Sequence, residues 1–150
     1  MSTVDNHHQL QTMGKCLGYL GLLPFVTGAA TALLFEELPA LVLRGFTLYS
    51  LAILSFMGGV HWGLALIMGT YQSKRLFISI TPVAVAWICV MILPGYLAVT
   101  ILGLAFIAQW TVDRPILAEL SIPSWYLEMR PRLAYVVAGC HLFILFRLLD

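Results

Sequence analysis

The chain has 150 residues, of which 61% are hydrophobic and only 10% charged, with a net charge of +1; its mean hydropathy is +0.93. A water-soluble domain carries roughly 25% charged residues, so this composition cannot cover a solvent-exposed surface and a lipid bilayer must take the place of water. The near-neutral charge, with no run of like charges, excludes a nucleic-acid partner, because phosphate binding needs a concentrated basic face.

Residues 1–15 read as a polar N-terminal tail in which His7 and His8 are solvated; two adjacent histidines do not define a metal site. A membrane helix takes about 20 apolar residues, and five runs qualify: 16–35, 46–68, 76–93, 96–112 and 133–149. The first is closed by Glu36 and Glu37, and the second follows Arg44 and ends before a polar turn, Gly69 to Arg75. Pro94 and Gly95 separate the third run from the fourth by a tight turn that forces an antiparallel helical hairpin. The runs are apolar on every face rather than alternating, which selects helices over barrel strands. The expected architecture is therefore an all-α, polytopic helix bundle of about five spans, a single integral membrane domain over 1–150. Ala30-Thr31-Ala32 resembles a signal-peptide cleavage site, but the preceding tail carries one Lys offset by Asp5, and no cleavage is expected.

With five spans, Lys15, Lys74, Arg75, Arg114, Arg130 and Arg132 fall on one side and only Arg44 and Arg147 on the other. The positive-inside rule then places the N-terminus in the cytoplasm and the C-terminus outside. The one long connection, 113–132, carries Pro115, Pro123 and Pro131 and reads as an interfacial cytoplasmic loop. In it Ser124 is expected to cap a short helical turn, with Trp125 and Tyr126 at the headgroups.

Polar residues inside a membrane are costly, so they are the first candidates for function. His61 lies in the second span and His141 in the fifth; Gln109 and Asp113 are four apart at the end of the fourth, on one helical face. Counting from the expected span ends at about 1.5 Å per residue puts His61 roughly 10 Å and His141 roughly 12 Å deep, with Gln109 shallower and Asp113 at the surface. Three roles compete for this cluster: haem ligation by His61 and His141, a proton or ion path, and hydrogen-bonded fastening of helices. Fastening is favoured, since two histidines alone do not specify an iron site. No metal and no cofactor is expected.

Small residues form a second pattern. Ser55, Gly59 and Gly63 recur at spacing four beside Gly58, and Gly14 and Gly18 do so in the first helix. Such stripes let backbones approach closely, within the chain or at a seam with a partner or second copy. Pro24 and Pro82 each remove an amide donor within a span. Cys16, Cys89 and Cys140 are far apart and form no C-x-x-C pair, so they read as small core residues. The chain has no G-x-S-x-G, H-E-x-x-H or phosphate-loop pattern, and no catalytic residue is assigned.

Several segments together resemble a known family. They are Leu17-Gly18-Tyr19-Leu20-Gly21-Leu22-Leu23-Pro24-Phe25, Phe56-Met57-Gly58-Gly59-Val60-His61-Trp62-Gly63, Gln109-Trp110 with Asp113, and Pro123-Ser124-Trp125-Tyr126 with Arg130. They resemble a bacterial and mitochondrial family of unknown function that includes the eukaryotic transmembrane protein 69. The resemblance implies a small multispan protein of an inner membrane, and raises His61, Trp62, Gln109 and Asp113 above His141 as candidates. Pro131 is atypical of that pattern. The resulting expectation is a non-catalytic component that packs with, or helps assemble, a larger membrane complex. The alternative is a protein that binds or transports a proton, an ion or a small apolar ligand through His61, Gln109 and Asp113.

Overall fold

The computed structural model describes residues 3–68, 73–120 and 122–150. Of the polar turn expected over 69–75, residues 69–72 lie outside the described residues, as does the side chain of His7, and 73–75 are not a turn but the start of a helix. Within them the chain is all helix: α1 (Thr3–Leu20), α2 (Leu23–Leu34), α3 (Ala40–Met68), α4 (Ser73–Ile92), α5 (Gly95–Ala118) and α6 (Ser124–Leu149). Helices α1 and α2 run on as one apolar crossing from His8 to Leu34, so five crossings long and apolar enough for a membrane result.

The outer surface confirms the solvent. Leu34, Leu41, Phe56, Ile67 and Phe77 are each at least 73% exposed, an arrangement untenable in water and ordinary against lipid. The interior is formed by Phe25, Phe46, Leu54, Leu102, Phe106 and Ile144. Helix α3 packs on α4 and α5 on α6, with α2 against α3 and α6, α4 against α5, and α1 against the start of α6.

Buried residues follow helical spacing. In α3 they include Phe46, Ser50, Leu54, Gly58, His61 and Ala65; in α5, Leu102, Phe106, Gln109, Asp113 and Leu117; in α6, Arg130, Ala134, Val137, His141 and Ile144. Steps of three and four keep one face turned to the neighbouring helices. His61, Gln109, Asp113, Arg130 and His141 occupy the buried seams.

Two expected boundaries are corrected. The tail over 1–15 is helical from Thr3. The expected surface loop over 113–132 shrinks to a short link, because α5 continues through Pro115 to Ala118 and α6 begins at Ser124. Asp113 and Arg130 end an apolar run by composition, yet they pair with each other inside the bundle. Their charges therefore do not oblige the chain to leave it. Ser124 is not a cap: Pro123 holds that position with extended backbone and no side-chain cap forms. Its carbonyl accepts from Tyr126 N–H at 3.0 Å to start the helix.

Prolines shape the rest. Pro24 opens α2 in its first turn, where a missing N–H costs nothing. Beside the break, the Tyr49 hydroxyl donates to the Gly21 carbonyl at 3.0 Å. At the far end of α2, Arg147 of α6 donates to the carbonyls of Ala32, Phe35 and Glu36 at 2.9–3.0 Å. These are the orphan acceptors of a helix C-terminus, where a cation is also favoured by the helix dipole.

Candidate functional site

Asp113 is the centre of a buried polar cluster joining three helices. One carboxylate oxygen, Oδ1, accepts from His61 Nε2 of α3 at 2.7 Å and from Gln109 Nε2, one turn back on α5, at 2.8 Å. The other, Oδ2, accepts from Arg130 Nη2 of α6. His61, Gln109, Asp113 and Arg130 are each at least 94% buried. With the ring neutral, the cluster sums to zero charge: one guanidinium, one carboxylate, one imidazole and one amide. A buried ion pair needs such additional hydrogen bonds, because desolvation consumes most of the attraction between the two charges.

Helix lengths place Asp113, His61 and Arg130 at one level. Asp113 lies five residues before the end of α5, His61 seven before the end of α3 and Arg130 six after the start of α6. At 1.5 Å per residue these are depths of about 8, 10 and 9 Å. Asp113 is therefore not at the surface as its expected span implied. Arg130, which composition assigns to a loop, is instead a member of the cluster from within α6. Its signal was the series Arg130, Ala134, Val137, His141, which continues the buried face of α6 back by two turns.

Because the carboxylate only accepts, His61 Nε2 carries the proton and Nδ1 presents a lone pair. Nδ1 is buried and has no hydrogen-bond partner among the described residues. A histidine backed by a carboxylate with its other nitrogen bare is equipped to accept a hydrogen bond or a proton. Among the described residues no group of three or more His, Cys, Asp or Glu assembles that could hold a metal.

His141 belongs to a separate place. Its Nδ1 faces the Val137 carbonyl at 2.8 Å and its Nε2 the Ser50 hydroxyl at 3.1 Å. The carbonyl can only accept, so Nδ1 carries the proton and Nε2 is an acceptor; the single Ser50 hydroxyl proton is shared between it and the Phe46 carbonyl, which lies at 2.8 Å. Phe25, Phe46 and Phe106 surround the ring at centroid distances of 4.6–5.7 Å, and its Cβ lies over Gly103. Three helices measure its distance from the cluster independently: Ser50 to His61, Gly103 to Asp113 and Arg130 to His141. Each interval is ten or eleven residues, or about 15–16 Å along the bundle. The similar depths expected for His61 and His141 are thus corrected, since α6 starts nine residues earlier than its expected span. The two imidazoles do not face a common centre.

Trp62 is one position, or about 100° of helix, past His61; it is 46% exposed and points away from the cluster. The small residues divide. A Cβ on Gly58 would run into the Ser79 carbonyl of α4, so Gly58 sets the α3–α4 approach. A Cβ on Gly59 or Gly63 would meet no described atom within 4 Å beyond its own stretch of helix, and the Ser55 hydroxyl bonds within its own helix, to the Leu51 carbonyl. Gly14 and Gly18 receive Trp125 and Met129 of α6. Cys16 is exposed, Cys89 buried and Cys140 half-buried, all as free thiols.

The sequence model of a family described as protein of unknown function (DUF3429) matches residues 10–146, and the chain belongs to that family. No curated protein and no solved structure matches the chain.

Proposed function

We propose that this DUF3429 protein is a non-catalytic component of a membrane assembly, packing through the outer face of α3 against another membrane protein or a second copy. The observation that carries this is the contrast along one helix: Gly58 is locked against α4, whereas Gly59 and Gly63 border open space. Close helix approach is what such small residues provide, and no described helix uses it there. The Arg130–Asp113–His61 cluster then serves to fasten α3, α5 and α6 so that this face stays rigid. The compartment in this proposal is a bacterial inner membrane, with the N-terminus cytoplasmic and the C-terminus external. Setting aside Arg130, which is buried, Lys15, Lys74, Arg75, Arg114 and Arg132 still oppose Arg44 and Arg147. In this reading eukaryotic transmembrane protein 69 is a relative, a likeness supported by the His61-Trp62-Gly63 segment and the other quoted motifs.

Native mass spectrometry after gentle extraction tests the assembly role. The expected result is a mass above the bare chain, lost in Gly59→Leu and Gly63→Leu variants that fold normally. A bare chain from the native membrane, or a complex unchanged in both variants, overturns it.

A second reading is favoured by one atom. The unpartnered Nδ1 of His61 supports binding or transport of a proton, an ion or a small apolar ligand at the His61, Gln109 and Asp113 cluster. Its test is flux or ligand uptake in proteoliposomes with wild type and His61→Ala, where equal values at equal folding would remove it.

A further inference from the structure

The cluster has one member that also faces outward. Gln109 commits one amide N–H to Asp113 and at the same time lines a cleft of about 320 Å³ between α4 and α5. That volume is at the lower end of the range of small-molecule sites, roughly 300–1,000 Å³. The cleft wall is apolar, with Ile78, Pro82, Val85, Ile101 and Ala105 as its main lining. It spans Ile101 to Val112 on α5, about 16 Å along the helix.

Two polar features stand at this otherwise apolar wall. The first is Gln109, whose carbonyl end and second N–H take no part in the contact with Asp113. The second follows from Pro82, which lies inside α4. Proline has no N–H, so the carbonyl four residues back, that of Ile78, loses its helical donor. Ile78 also lines the cleft. The other polar lining residue, Thr81, is already satisfied, its hydroxyl donating to the Phe77 carbonyl at 2.9 Å. An unfilled backbone acceptor is costly in hydrocarbon, where no water competes for it.

We propose that the α4–α5 cleft binds a membrane-soluble amphiphile bearing a hydroxyl group, its apolar body lying along the cleft and its hydroxyl at Gln109 and the Ile78 carbonyl. A hydroxyl both donates and accepts, which matches an amide together with a carbonyl whose helical donor a proline has removed; a plain acyl chain matches neither. The occupant would sit one side chain from Asp113, so its binding reports directly to the His61 cluster through Gln109. This proposal rests on the second reading above, that the cluster serves a ligand.

The test uses the full chain in lipid nanodiscs and a dodecanol carrying a photoreactive diazirine on its chain, beside the matching dodecane lacking the hydroxyl. The expected result is saturable adducts on the lining residues of α4 and α5, competed by plain dodecanol. The alkane should label about fivefold less, the value of roughly one hydrogen bond. Ala105→Phe, or Ala108→Phe should the first fail to fold, fills the cleft and should abolish those adducts. Equal labelling by alcohol and alkane, or adducts unchanged by filling, overturns the proposal. Saturable, alcohol-specific adducts on α3 around His61 and none in the cleft would overturn the cleft while keeping ligand binding by the cluster. The absence of any saturable adduct overturns both.

Discussion

Removing one partner of the buried ion pair should cost far more than removing both. In Asp113→Leu, Arg130 keeps a full charge in a site where it is 6% exposed, with its carboxylate partner gone. Stranding a buried charge in this way costs about 3–5 kcal/mol, and Arg130→Met should strand Asp113 at a similar cost. The double variant replaces both ions by apolar side chains of comparable length and leaves no unpaired charge. Two losses remain in it: the His61 Nε2–H and the Gln109 N–H lose their shared acceptor. Interhelical hydrogen bonds in membranes are each worth about 0.6–1.7 kcal/mol, so the double variant should cost about 1–3 kcal/mol. It should therefore be more stable than either single variant. Reversible unfolding by titrating a denaturing detergent into mixed micelles measures all four proteins. If the double variant falls at the sum of the two singles, the ion pair is not a coupled unit and the cluster described above does not hold α5 to α6. An Asp113→Leu cost below about 1 kcal/mol would refute the stranded-charge argument itself.

Other outcomes follow from single contacts. Gly58→Val should lower stability by at least about 1–3 kcal/mol, the usual cost of overpacking, because its Cβ would meet backbone of α4. Gly59→Ala, facing open space, should leave monomer unfolding within about 0.5 kcal/mol of wild type; the same detergent titration checks both. Arg147→Met should free the carbonyls at the end of α2 and cost about 1–2 kcal/mol, since it removes a partly buried cap and its charge. Faster hydrogen exchange in the segment after Leu34 would report that loss. Ser50→Ala removes the hydroxyl that His141 Nε2 and the Phe46 carbonyl share and should cost about 1–2 kcal/mol, whereas Ser55→Ala, whose hydroxyl contacts only its own helix, should be near neutral.

What the sequence determined by itself was the solvent and the elements. Ten per cent charge and five long apolar runs can be satisfied only by helices in lipid, since a membrane backbone must satisfy its own hydrogen bonds. The pair Gln109 and Asp113 was legible from its spacing, because i and i+4 share a helix face whatever the tertiary structure does. Where the spans ended was not. Hydropathy assigns Asp113 and Arg130 to water, and the opposite is true once the two meet, so the fourth and fifth helices were read short and His141 was set at the wrong depth. Arg130 could not be recognised as a site residue from composition, because its burial depends on a carboxylate seventeen residues away on another helix. The glycines show the same division. Gly58, Gly59 and Gly63 are chemically identical, and only the position of α4 decides that the first is a contact and the others an open face. Local chemistry fixes which segments are helices; the pairing of charges and the choice of neighbouring helix are properties of the assembled bundle.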